Sequence, residues 1–271
     1  MRYSSIVQRL VYRYALLTRL AHWFGAIAVA VLISSGLQIF NAAPYLDAAD
    51  RSTPTRRVLS IDSPADGVGQ TTLFGHTFTT TGFLGWGSDG VGGATARAFP
   101  GWLTIPAYQD LADGRRWHFF FAWVASLAWL AWLISSALKG NLAEMVLRPS
   151  DLPKLWPMQA YYLRLRREPP PHGTYNPLQK AAYTFVLLVL APLIVLTGLA
   201  LSPGIDAIAH PLTVLFGGRQ FARLWHFLAM LLFVGFAIVH IVQVATQGFF
   251  NQMRSMISGW YRLRENESVG P

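Results

Sequence analysis

The 271 residues include no cysteine. That absence excludes disulfides, thiolate metal sites, Cys-ligated iron–sulfur clusters and covalently attached c-type haem from this chain. Charge is scarce as well. Only 13% of the residues are Asp, Glu, Lys or Arg, against about a quarter in soluble domains. Acidic residues are the scarcer sign, 13 against 22 Lys and Arg, which leaves a formal charge of +9. No glycine-rich phosphate loop, zinc signature or hydrolase elbow is present. No recognised nucleic-acid motif accompanies the basic residues, which gather at the ends of apolar runs. What dominates is apolar: 53% hydrophobic and 14% aromatic residues.

A membrane-spanning helix needs about 20 mostly apolar residues. Four runs qualify, at about 20–40, 116–138, 179–201 and 222–247. They predict an all-α membrane protein, a four-transmembrane-helix bundle forming a single domain over 1–271. The first run is too long for a signal-peptide core and carries His22 and Trp23 at its start, so it is expected to be retained. Pro192 is expected to kink the third. Fourteen of the 22 Lys and Arg lie in 1–19, in 139–180 and in the tail, from Arg2 to Arg264. By the positive-inside rule both termini are then cytoplasmic. Residues 41–115 become a long periplasmic loop. Ten glycines fall between Gly67 and Gly101 with Phe74, Phe78, Phe83 and Trp102 among them. That aromatic content argues against full disorder, and Thr71–Trp86 has room for a few short strands.

Four of the seven histidines, His22, His118, His226 and His240, lie in the predicted spans. Ionisable side chains inside a membrane are costly and rare, which makes them functional candidates. Alternating span direction places His118 level with His226, and His22 level with His240. His226 and His240 are 14 residues apart, close to four helical turns, so both project from nearly one face about 21 Å apart along the axis. That distance suits two stacked haems, each held by two neutral imidazoles, and is too long for a dinuclear metal site. Three of the histidines follow an arginine by three positions: Arg19 and His22, Arg115 and His118, Arg223 and His226. Residues three apart share a helix face, and a guanidinium one turn towards the membrane surface suits a haem propionate. Gln243 takes that position beside His240. Gly36, 14 residues after His22, falls at the level of the His118 and His226 pair, where a macrocycle can pack. His76, His172 and His210 lie in connections and read as ordinary polar residues, with His210 the main rival to His226.

With these residues in place, the chain resembles the bacterial di-haem cytochrome b subunits of formate dehydrogenase, nickel–iron hydrogenase and thiosulfate reductase. The resemblance rests on the histidine near the start of span one, the one in span two and the 14-residue pair in span four. It implies two haems b with the same pairing. It also extends to Tyr175-Asn176-Pro177-Leu178-Gln179-Lys180 before span three, where it implies Asn176 and Gln179 as quinone contacts; Asn176 equally suits a helix cap with Pro177 behind it. The segment from Phe99 to His118 is similar to cytochromes that accompany periplasmic molybdopterin oxidoreductases of the sulfite-oxidase type. The implied protein sits in the bacterial inner membrane and passes electrons between quinone and such a partner. Two alternatives remain open: a self-sufficient haem quinone oxidoreductase acting on a small periplasmic species such as superoxide, and a non-haem transporter or anchor.

Overall fold

The protein is described by a computed structural model over residues 9–246 and 248–263; Arg2 and Arg264 lie outside the described residues. Strand β1 (Leu10–Tyr12) precedes helix α1 (Leu16–Phe40). Strands β2 (Tyr45–Asp47), β3 (Arg57–Ala65), β4 (Val68–Leu73), β5 (His76–Thr79), β6 (Gly85–Ser88) and β7 (Ala94–Arg97) follow. Then come helices α2 (Leu111–Leu138), α3 (Asn141–Met145), α4 (Leu155–Tyr162) and α5 (Pro177–Leu201). Helices α6 (Pro203–Ile208), α7 (His210–Leu215), α8 (Arg219–Thr246) and α9 (Phe249–Ser258) and strand β8 (Trp260–Arg262) complete the order.

Helices α1, α2, α5 and α8 are long and apolar enough to cross a membrane. Their outward residues are apolar: Phe120 is 63% exposed and Leu138 84%, surfaces that a soluble fold would bury and lipid accepts. The helices begin up to five residues earlier than the apolar runs. In α2 the Asp110 carboxylate accepts from the Asp113 N–H at 2.9 Å, which caps the first turn. The helix thus starts before its polar turn ends. Within α5, residues Thr184–Leu190 are π-helical. Pro192 lacks the N–H that the Leu187 carbonyl would receive in that pattern, and the Trp129 indole donates to this carbonyl at 3.0 Å instead.

The all-α expectation fails between Tyr45 and Arg97, which fold as β-structure; the short strands allowed for in Thr71–Trp86 are part of it. Strands β2, β3, β4 and β5 form an antiparallel sheet in that order, and β6 pairs with β7. The reason is local: the Phe74-Gly75 turn has φ of +49° and +83°, the two-residue geometry that joins twisted strands.

The described residues pack as two compact units. One comprises Phe24–Leu127 and Pro192–Leu232. Its core joins Phe40, Leu46, Ile61 and Ala98, with Leu224 and Phe227 packed against them. Buried Arg97 donates to Gln38 Oε1 and to Thr104 Oγ1, both at 3.0 Å, and Asn41 exchanges hydrogen bonds with the Phe99 backbone. These bonds fasten the β-structure to the end of α1. The other unit comprises residues up to Trp23, Ala128–Ala191 and Phe233 onward. There β1 pairs with β8, the Trp23 indole donates to the Met256 carbonyl at 3.2 Å, and Lys180 pairs with Asp151 at 3.1 Å.

Candidate functional site

In the first unit, α2 presents His118 and α8 presents His226. Their ring centres are 6.2 Å apart and their planes 64° apart. In the second unit, α1 presents His22 and α8 presents His240, with ring centres 6.2 Å and planes 56° apart. The same spacing arises twice from different helix pairs. Metal–imidazole bonds of about 2.0–2.1 Å on either side of one ion put trans ring centres roughly 6 Å apart. Among the described residues, no group of three or more His, Cys, Asp or Glu is gathered to hold a bare ion. Two facing imidazoles without further donors match haem iron, whose porphyrin supplies the other four nitrogens. The residues present therefore fit a bis-imidazole haem at each pair.

The rings of the first unit are held at both edges. The His118 Nδ1 lies 3.1 Å from Ser35 Oγ, and the His226 Nδ1 lies 3.0 Å from Thr197 Oγ1. A Cβ on Gly36 would stand 3.3 Å from His118 Cε1, and one on Gly198 3.2 Å from His226 Cε1. Gly36 thus makes room for the histidine ring itself. Sequence reasoning missed Ser35 and Thr197. The signal was available: Ser35-Gly36-Leu37 recurs as Thr197-Gly198-Leu199, and Trp117-His118-Phe119 as Trp225-His226-Phe227.

The three arginines are placed differently from one another. Arg115 is exposed, its guanidinium 5.5 Å from the Phe119 ring centre. Arg223 donates to the Ala43 carbonyl and lies over the rings of Phe40 and Tyr45. Arg19 donates to the Ile257 carbonyl at 2.5 Å, against the end of α9; its Nε is buried without a partner among the described residues. None of the three pairs with a carboxylate among the described residues.

Asn176 caps α5. Its Oδ1 accepts from the Gln179 N–H at 2.9 Å, and Gln179 Oε1 accepts from the Asn176 N–H at 3.1 Å. The Asn176 amide also donates to the Tyr162 hydroxyl at 3.1 Å. His210, the rival to His226, is occupied at 3.0 Å by Asp206. The Thr213 hydroxyl and His210 together hold the Asp206 carboxyl below its ordinary range. His76 is exposed on β5, and His172 bonds only its neighbour's carbonyl among the described residues.

The family model for prokaryotic cytochrome b561 matches residues 13–259. A relative from Azospira oryzae, a putative protein-methionine-sulfoxide reductase subunit named YedZ1, is 29% identical over 234 residues, covering 84% of this chain and 87% of its own.

Proposed function

Because the chain belongs to the prokaryotic cytochrome b561 family, and so is a multi-pass inner-membrane haem b protein of electron transfer, we propose that it is the di-haem subunit of a two-component oxidoreductase. It carries electrons between the quinone pool and a separate catalytic subunit. The observation that carries this reading is the doubled pair of facing imidazoles at 6.2 Å. His118 and His226 hold one haem; His22 and His240 hold the other. Bound haem b supplies one-electron chemistry at its iron. Arg115 and Arg223 carry positive charge one turn from the first pair, and Arg19 does so beside the second, where propionates need counter-charges.

In this reading, which the basic segments support, His118 and His226 lie towards the periplasmic side and His22 and His240 towards the cytoplasmic side. The β-structure of 41–115 then faces the periplasm and docks the catalytic subunit. The similarity of Phe99–His118 favours a molybdopterin oxidoreductase. The name of the Azospira oryzae relative narrows its chemistry to reduction of methionine sulfoxide in proteins. Each such reduction takes two electrons and two protons and releases methionine and water. This chain would supply those electrons from quinol.

The test is reduction of the purified chain by a quinol, followed by reoxidation on adding the catalytic subunit and oxidised protein substrate. Reoxidation only with both additions is expected. Turnover by the isolated chain would favour the self-sufficient reading instead.

The quinone is assigned to the start of α5, at Asn176 and Gln179. A cap role and a quinone role separate in Asn176→Asp, because Asp caps a helix as well as Asn does but cannot donate from that side chain. Haem content and thermal stability should hold, while the rate of reduction by quinol falls about tenfold, the loss of one hydrogen bond to substrate. An unchanged rate would leave Asn176 a cap alone.

A further inference from the structure

The His118 and His226 rings differ from the His22 ring at Nδ1. Each of the first two meets a hydroxyl through Nδ1, whereas His22 Nδ1 is buried without a partner among the described residues. Hydroxyl proton counting fixes the direction of these bonds. A Ser or Thr hydroxyl has one proton to give. The Ser35 Oγ lies 2.7 Å from the Val31 carbonyl, and the Thr197 Oγ1 lies 2.7 Å from the Leu193 carbonyl. A carbonyl only accepts, so each hydroxyl spends its proton on its own helix, one turn back. Towards the imidazole it can only accept. His118 and His226 therefore carry their protons on Nδ1 and leave Nε2 with its lone pair.

Both contacts have the same construction. The hydroxyl is followed by a glycine whose bare Cα admits the Cε1 edge of the ring. One side chain fixes the ring edge by a hydrogen bond, and the next residue fixes it by close approach.

We propose that Ser35 and Thr197 are positioning residues for the haem held by His118 and His226. Together with the Leu32 and Ile194 backbone, which hydrogen-bonds the same two rings, they hold the two imidazoles in the Nδ1-protonated tautomer and, by accepting hydrogen bonds from Nδ1, favour the ferric iron. The physical step is general: an acceptor at the far nitrogen of a ligating imidazole raises the basicity of the ligand. A more basic ligand stabilises the more highly charged metal. Two such bonds act on one iron, so this haem is poised lower than the same pair of histidines alone would set it. The inference rests on the assignment of the His118 and His226 pair as haem ligands.

The test is redox titration of the holoprotein with Ser35→Ala, Thr197→Val and the double variant, beside the hydroxyl-keeping Ser35→Thr and Thr197→Ser. One haem, the one whose low-spin signal is lost in His118→Ala, should titrate at a higher potential. At fixed ambient potential its reduced-to-oxidised ratio should rise about three- to tenfold per hydroxyl removed, tenfold being about 59 mV for a one-electron couple. The other haem should not move, and the hydroxyl-keeping variants should restore the wild-type value. Unshifted potentials with both haems present overturn the inference while leaving the ligand assignment intact. If the hydroxyl-free variants lose that haem, retention in Ser35→Thr and Thr197→Ser supports the positioning role; loss there too assigns the effect to packing and overturns it. Unchanged low-spin haem content in His118→Ala and His226→Ala would be a failure of the ligand assignment itself.

Discussion

Purified with its cofactors, the wild-type chain is expected to carry two bis-imidazole low-spin haems, and each of four histidine variants is expected to carry one. The sorting of the four is the informative part. His118→Ala and His226→Ala should retain the same remaining spectrum and potential. His22→Ala and His240→Ala should retain the other. The reason is geometric, since the 6.2 Å ring separation recurs in just these two combinations. Removing one ring leaves its partner with a single axial bond, so the spectrum of that haem turns high-spin or the haem departs. Either way half of the low-spin signal goes. A variant pair that sorted across the two units, such as His118 with His240, would break the assignment. Full low-spin content in any single variant would do the same.

The long helices were legible because lipid demands an unbroken apolar run and backbone hydrogen bonds made within the segment. Their starts were not, because Asp110 caps a turn that contains Asp113, Gly114 and Arg115, which reads as loop by hydropathy. The four histidines were legible through matched depth, a property of sequence alone once the spans are drawn. Ser35 and Thr197 were hidden for a chemical reason. A hydroxyl in an apolar helix ordinarily bonds the carbonyl one turn back; these two do so and also accept from a ring on another helix. The arginines showed their positions but not their partners: nothing in the sequence ties Arg19 to the Ile257 carbonyl, 238 residues away. The strands between Tyr45 and Arg97 were the least visible part. Two of their glycines, Gly69 and Gly85, serve close packing of strands. A side chain at Gly69 would collide with the Leu84 carbonyl, and one at Gly85 with Asp62 and Gln70. Such needs arise only once the strands are laid together.

That packing also decides how the docking role of the β-structure is to be probed. Excising 60–100 would remove Ile61 and Ala98 from the core and Arg97 from its bonds to Gln38 and Thr104, so a lost partner would report a lost fold. The β4–β5 hairpin permits a cleaner cut. Strand β5 is at the edge of its sheet, and every residue in it is exposed. An edge strand offers unpaired backbone groups to another chain. Beside that edge stand Phe74 at 72% exposure and Phe78 at 56%, outside the core cluster and costly to leave in water. Aromatic anchors at interface centres typically contribute about 2 kcal/mol or more each when truncated, about 30-fold in affinity. Phe74→Ser with Phe78→Ser should therefore weaken capture of the catalytic subunit by about 30-fold at least and halt quinol-driven reoxidation at matched concentrations. Both haems should remain, since neither ring supports a histidine. Undiminished capture by this double variant would move the docking surface elsewhere on the β-structure. Loss of haem along with capture would mean that the hairpin supports the fold and was never a free surface.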